Sequence, residues 1–301
     1  MKKTGGDEAS YAFGPAARFR AATPYIVFLL VAGAAVAGLG ASRTLAGRGQ
    51  VVLDSPLPRI LERTREYCRD LASASLNVVC MECVETQEYL PPIRLFSMGP
   101  AARCTVKSES FDYDYQPVGS GESVRETRAL VRENGRACHE TNSAVKSRIF
   151  KYQNLIFGPV GLLSEYWQTR LAYSYIGEDR AEGCKAFVIE AASSGPPEPN
   201  HPYGKVWVSQ DDFSVLKIDW DEKSLGNYDM IERTARSIGR DMVPAILATA
   251  EFGVVKNGIR FPSRVTILED YKNFSGTVRV SKTTIAYKNY RFFTVETEVR
   301  Y

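Results

Sequence analysis

The sequence predicts a mainly β (α+β) fold built on one large antiparallel sheet, with an N-terminal helix and two short helices covering one of its faces. Three observations lead there. Ile259, Phe261, Val265, Ile267 and Tyr271 alternate with Arg260, Arg264, Thr266 and Asp270, and Phe293, Val295, Val299 and Tyr301 alternate with Thr294, Glu296, Glu298 and Arg300. Such strands have one dry and one wet face. Asn134-Gly135 and Asn257-Gly258 are type I′ hairpin signals inside apolar runs. Strands and helices do not alternate regularly, which argues against a parallel α/β fold.

Taken in chain order, residues 1–23 read as an N-terminal leader and residues 24–41 as a hydrophobic signal or anchor segment. This uncharged stretch carries an apolar run of roughly 17 residues, at the lower limit for crossing a bilayer. Gly38 and Gly40, or Thr44 and Ala46, offer small-residue cleavage sites. Left uncleaved, the segment would hold the chain to a membrane with its N-terminus in the cytoplasm, because more basic residues precede it than follow it. Either way the body is exported. Residues 42–57 read as a Gly-, Arg- and Pro-rich linker, and residues 58–301 as one domain.

"RILERTREYCRDL" (59–71) places Ile60, Leu61, Thr64, Tyr67, Cys68 and Leu71 on one helical face. Strands follow at Leu76 to Tyr89, Phe111 to Val118 and Ser123 to Glu140, the last broken by Asn134-Gly135. "GPVGLLSEYWQTRL" (158–171) opens on a proline favoured at a helix start and gathers Leu162, Leu163, Tyr166 and Trp167. "SSGPPEPNHPY" (193–203) is a Pro-rich surface loop. "NYDMIERTARSIGRDM" (227–242) spaces Ile231, Thr234, Ala235 and Ile238 at helical intervals before Pro244. Strands then run from Ile246 to Val255 and from Ile259 to Tyr271. A sheet this wide, covered by short amphipathic helices, can enclose an apolar cavity.

Six cysteines, Cys68, Cys80, Cys83, Cys104, Cys138 and Cys184, form an even set in an exported chain, where disulfides persist. In the β-favouring run "VVCMECVETQEY" (78–89), Cys80 and Cys83 fall on opposite strand faces, which disfavours a shared metal or a mutual redox pair. A Cys68–Cys80 bridge tying the first helix to the first strand is the favoured pairing; by the chain-entropy model so short a loop contributes roughly 3 kcal/mol. The pairing of the other four stays open.

Charge excludes one partner class. Lys2, Lys3, Arg18, Arg20, Arg43 and Arg48 face only Asp7 and Glu8 in the first fifty positions, so the formal +3 of the whole chain becomes near neutrality beyond them. The folded part lacks the basic excess of a nucleic-acid binder. Nucleophile-elbow, zinc-protease, P-loop and dinucleotide-binding motifs are all missing from the sequence, and neither His139 nor His201 has a catalytic setting. No catalytic residue, metal or cofactor is therefore assigned. The pairs Asp112/Asp114 and Asp219/Asp221 could stand on one strand face as acid and base, a common arrangement on solvated strands.

"GKVWVSQDDFSVLKIDW" (204–220) resembles the central hairpin of the periplasmic lipoprotein-carrier superfamily, which includes the outer-membrane lipoprotein-sorting proteins. "NGIRFPSRVTILEDY" (257–271) is similar to a late hairpin of that superfamily, and "YKNYRFFTVETEV" (287–299) resembles the ending of its exported bacterial members. The resemblance implies an unclosed half-barrel in the periplasm or cell envelope, binding a lipid, an acyl chain or a lipoprotein as carrier or sensor. No binding residue carries over by motif; periodicity alone points to Leu162, Leu163 and Trp167 as helical cover and Leu216, Ile218 and Trp220 as sheet wall. An envelope scaffold with a filled core, meeting a protein partner through edge strands or the Pro-rich loop, is the competing expectation.

Overall fold

The computed structural model describes residues 55–90, 105–118, 125–149, 158–194, 203–226, 228–239 and 241–293. The leader, the apolar segment, Cys104, most of the Pro-rich loop and the alternating stretch 294–301 lie outside the described residues. Among the described residues, no helix is long and apolar enough to cross a membrane.

Helix α1 (Leu57–Ser75) extends the predicted helix at both ends and buries Ile60, Thr64, Tyr67, Cys68 and Leu71. Strands β1 (Val78–Leu90), β2 (Thr105–Val118), β3 (Arg125–Glu133) and β4 (Arg136–Thr141) follow. Asn134 and Gly135 both take positive φ, as the predicted type I′ turn between β3 and β4 requires. After helices α2 (Gly158–Leu163) and α3 (Glu165–Gln168) come β5 (Leu171–Ala181), β6 (Cys184–Ser193), β7 (Gly204–Ser209) and β8 (Val215–Trp220). A 3-10 turn at Glu222–Ser224 leads into α4 (Tyr228–Ile238), and then β9 (Val243–Glu251), β10 (Val254–Lys256), β11 (Ile259–Phe261), β12 (Arg264–Asn273) and β13 (Gly276–Phe292).

Eleven strands form a single sheet in the order β4-β3-β2-β1-β13-β12-β9-β8-β7-β6-β5, and every neighbouring pair is antiparallel. It does not close: β4 and β5 are its two edges. Consecutive strands pair as the predicted meander requires, with two exceptions. The last strand inserts between β1 and β12. The chain also leaves one edge at Thr141 and re-enters at the opposite edge at Leu171.

The strands predicted at Ile246 to Val255 and Ile259 to Tyr271 are each interrupted. Pro262 lacks a ladder donor and Gly253 permits a bend, so β10 and β11 leave the main sheet as a separate two-stranded ribbon. Asn257 and Gly258 turn that ribbon with positive φ, and Tyr67 of α1 donates to the Arg260 carbonyl at 3.0 Å. The helix predicted at 158–171 is two short helices, divided at Ser164. β5 to β6 and β13 were unassigned from the sequence. One dry face carries most of the core, from Val84, Phe111 and Ile285 through Val265 and Ala250 to Ile218.

Candidate ligand-binding face

The crossing from β4 to β5 organises the covered face. Ser143 donates its N–H to the Arg128 carbonyl at 3.0 Å. Tyr113 accepts from the Lys146 N–H at 3.1 Å and donates to the Ala144 carbonyl at 3.4 Å. Arg148 then pairs with Glu269 at 2.9 Å. Residues 142–149 thus form a strap laid across β3, β2 and β12, fastened by side chains of the floor beneath it. Glu269 is fully buried and also accepts from Tyr271 Oη at 2.8 Å and Ser281 Oγ at 2.7 Å.

Beyond the strap, α2 sits on the apolar floor. A Cβ added to Gly158 would stand 3.0 Å from the Trp220 ring and 3.5 Å from the Ile218 methyl, so backbone rests directly on side chain there. Leu162 and Leu163 are fully buried in the same apolar cluster as Ile218 and Trp220, four of the six predicted lining residues. α1 closes over α2 from outside: Gln168 Nε2 donates to the Leu61 and Leu163 carbonyls, both at 2.7 Å. α4 covers the floor at another place, burying Ile231 and Ala235 against it.

Two predicted wall and cover residues are placed differently. Trp167 lies on α3, half-buried, with its ring edge-on to Tyr166 at 5.0 Å. Leu216 faces the opposite side of the sheet, where it packs with Ala186, Val188 and Trp207 in a separate small cluster. The reason is a bulge: Trp207 aligns with Lys217, but Val208 aligns with Val215, leaving Leu216 without an opposite residue. One extra residue reverses the side-chain alternation. Ile218 and Trp220 stay together on the dry face, and Leu216 does not join them.

On the other side of the strap the floor is polar, a feature unassigned from the sequence. Arg128 on β3 reaches Glu82 on β1 through Nε and through Nη2, the latter at 2.9 Å to Oε1, and Nη2 also meets Glu126 at 2.6 Å. All three are nearly water-free. Burial works against the guanidinium charge, but Glu82 and Glu126 outweigh it and hold Arg128 charged well above its ordinary range. Burial pushes the neighbouring Tyr113 phenol up to about 12 and raises Tyr115 and Tyr287 well above the usual phenol range. Among the described residues, Tyr115 Oη, Tyr287 Oη and the Trp220 indole N–H are buried polar atoms with no hydrogen-bond partner. The signal was present in the sequence: Glu82 occupies the dry register of Cys80 and Val84, and Glu269 that of Ile267 and Tyr271.

The expected Cys68–Cys80 bridge is not formed, and both are buried free thiols. Cys68 donates to the Pro159 carbonyl at 3.3 Å between α1 and α2. Cys80 lies instead beside Glu82, Glu126 and Tyr290, so the two thiols serve different packing sites. Burial raises both thiol pKa values far above the ordinary cysteine range. Cys80 and Cys83 do face opposite sides of β1, Cys80 buried and Cys83 half-exposed. One carboxylate of each pair considered as acid and base is engaged: Asp112 with Arg132 at 3.2 Å, and Asp219 with Lys217 at 2.8 Å and Thr249 at 2.7 Å.

No protein-family model and no curated protein matches the sequence. Solved structures do. A DUF1329 family protein from Desulfovibrio piger matches at 12% identity and TM-score 0.39, over 79% of this chain and 95% of its own. A LolA superfamily protein from Nitrosomonas europaea matches at 11% identity and TM-score 0.35, over 78% and 94%. The MucA/MucB complex of Pseudomonas aeruginosa matches at 13% identity and TM-score 0.23, over 80% and 100%.

Proposed function

We propose that this protein is an exported, non-enzymatic half-barrel of the cell envelope that takes an amphiphile, a lipid or the acyl chain of a lipoprotein, against its covered face as carrier or sensor. The acyl part would enter between Leu162 and Leu163 of α2 and the wall of Ile218 and Trp220. Three buried polar atoms without partners, Trp220 Nε1, Tyr115 Oη and Tyr287 Oη, carry the reading. Leaving such groups unpaired costs about 1–3 kcal/mol each, and the polar end of an amphiphile would satisfy the two phenols. Its methylenes would gain about 0.8 kcal/mol each on burial. In the structure α2 rests on the wall, so entry of a chain requires α2 to lift from Trp220.

The test is native mass spectrometry with lipid extraction on protein exported and purified without detergent. Bound mass that extracts as lipid or acylated peptide is the expected result. A bare polypeptide mass, combined with no uptake of added fatty acid or lipopeptide, would overturn it. That outcome favours the second reading, a protein-binding module, for which β4 is the specific observation: it is an edge strand with all six residues exposed.

A further inference from the structure

The hairpin between β12 and β13 ends in Phe274, whose side chain is 93% exposed, against 37% to 54% for the other exposed large apolar residues. The turn that carries it is built stiffly. Asn273 Oδ1 accepts from the N–H groups of both Ser275, at 2.8 Å, and Gly276, at 3.1 Å. Gly276 has φ +150, which spares the turn the strain an L side chain would bring. Just below, Arg279 clasps Asp270 with two hydrogen bonds at 2.7 and 2.8 Å, bracing the two strands against each other. The ring is therefore held out from the sheet.

Its surroundings suit one kind of surface. From Tyr271 to Val280 the hairpin carries no carboxylate; Arg279 is paired with Asp270 at its base, and the exposed Lys272 supplies the positive charge beside the tip. Val243, 50% exposed, aligns with Lys272 across β9 and β12, and Val278, 40% exposed, aligns with Tyr271 on β13. Apolar tip and basic flank together match the junction of acyl chains and anionic headgroups, where aromatic rings and lysine stems each find their preferred medium. The sequence reading of residues 24–41 as a hydrophobic signal or anchor segment would bring the chain to such a surface.

We infer that the β12–β13 tip is a bilayer-contact site, with Phe274 inserting at the headgroup boundary and Lys272 lying among anionic lipid headgroups. The inference stands apart from the acyl-binding reading, since it concerns a surface tip and not the covered face.

Leu53–Tyr301 forms its own compact unit, so that portion is tested without the apolar segment by flotation with phosphatidylethanolamine/phosphatidylglycerol vesicles. The wild-type unit should float with the vesicles, and Phe274→Ser should weaken partitioning about ten-fold or more, the loss expected when a phenyl ring no longer leaves water. Phe274→Trp should float normally and show quenching by bromolipid that the wild type lacks. Because the ring makes little contact with the protein, Phe274→Ser should keep the wild-type melting temperature and fatty-acid uptake, which separates this inference from the acyl-binding one. Wild type that stays with the aqueous phase, or Phe274→Ser that floats equally, would overturn it. So would an effect of Phe274→Ser confined to self-association without vesicles, since a second copy would then be the occupant.

Discussion

Arg128 holds two buried carboxylates, and removing it isolates Glu82. Arg128→Met should destabilise the protein by about 3–5 kcal/mol, the usual cost of stranding one member of a buried pair. Adding Glu82→Gln should recover part of that loss in chemical denaturation; a fully additive double variant would mean the two do not act as a pair. The thiols give a second test at this scale. Maleimide should label the exposed Cys138 in the folded protein, and Cys68 and Cys80 only after denaturation without reductant. A Cys68–Cys80 bridge would leave both unlabelled until reduced. Residue roles were the least legible level. The dry register correctly gave Leu162, Leu163, Ile218 and Trp220 buried positions, but the sequence has no marker for the bulge that reverses Leu216. Glu82 and Glu269 could have been singled out as charges in an apolar register, although their partners Arg128 and Arg148 are distant in sequence.

Elements were more legible, because turn chemistry and periodicity are local. Asn-Gly marked two turns correctly, whereas the β5–β6 turn uses Glu182-Gly183 with the same pair of positive φ angles and so escaped notice. The joint of β7 and β8 depends on Gly204, where an added Cβ would come within 2.1 Å of the Asp219 carbonyl oxygen. Gly204 is paired on both sides, to Ala191 and to Trp220, and neither neighbour can withdraw freely. Gly204→Ala should therefore cost about 3 kcal/mol by overpacking, seen as a fall of several degrees in thermal unfolding. An unchanged melting temperature would mean that the β7–β8 register can shift to make room.

For the molecule as a whole, alkaline pH is the sensitive direction. Burial is the largest cause of the raised pKa of Tyr67, Tyr115, Tyr287, Cys68 and Cys80, and of Tyr113, which it pushes to about 12. Folded values above unfolded ones mean that this contribution is complete below the unfolded pKa, about 8.5 for a thiol and 10 for a phenol. It is lost as pH rises through the folded values. Melting temperature should fall progressively above about pH 9, and phenolate absorbance should appear together with loss of circular dichroism. Gradual titration of all tyrosines near pH 10 with the fold intact would contradict the burial. The open antiparallel sheet followed from one-sided alternation. Its strand order did not, since nothing local says that the last strand pairs with the first.

That pairing governs when the molecule can form. β1 is flanked by β2 and by β13, so the strand made first waits for the strand made last, with Val84 opposite Ile285. Until synthesis has passed that residue, the middle of the sheet has a missing rung and the two halves have nothing to join them. A nascent chain in this condition can form its local hairpins but not the ladder that joins them, so the complete sheet is assembled only once β13 has been made.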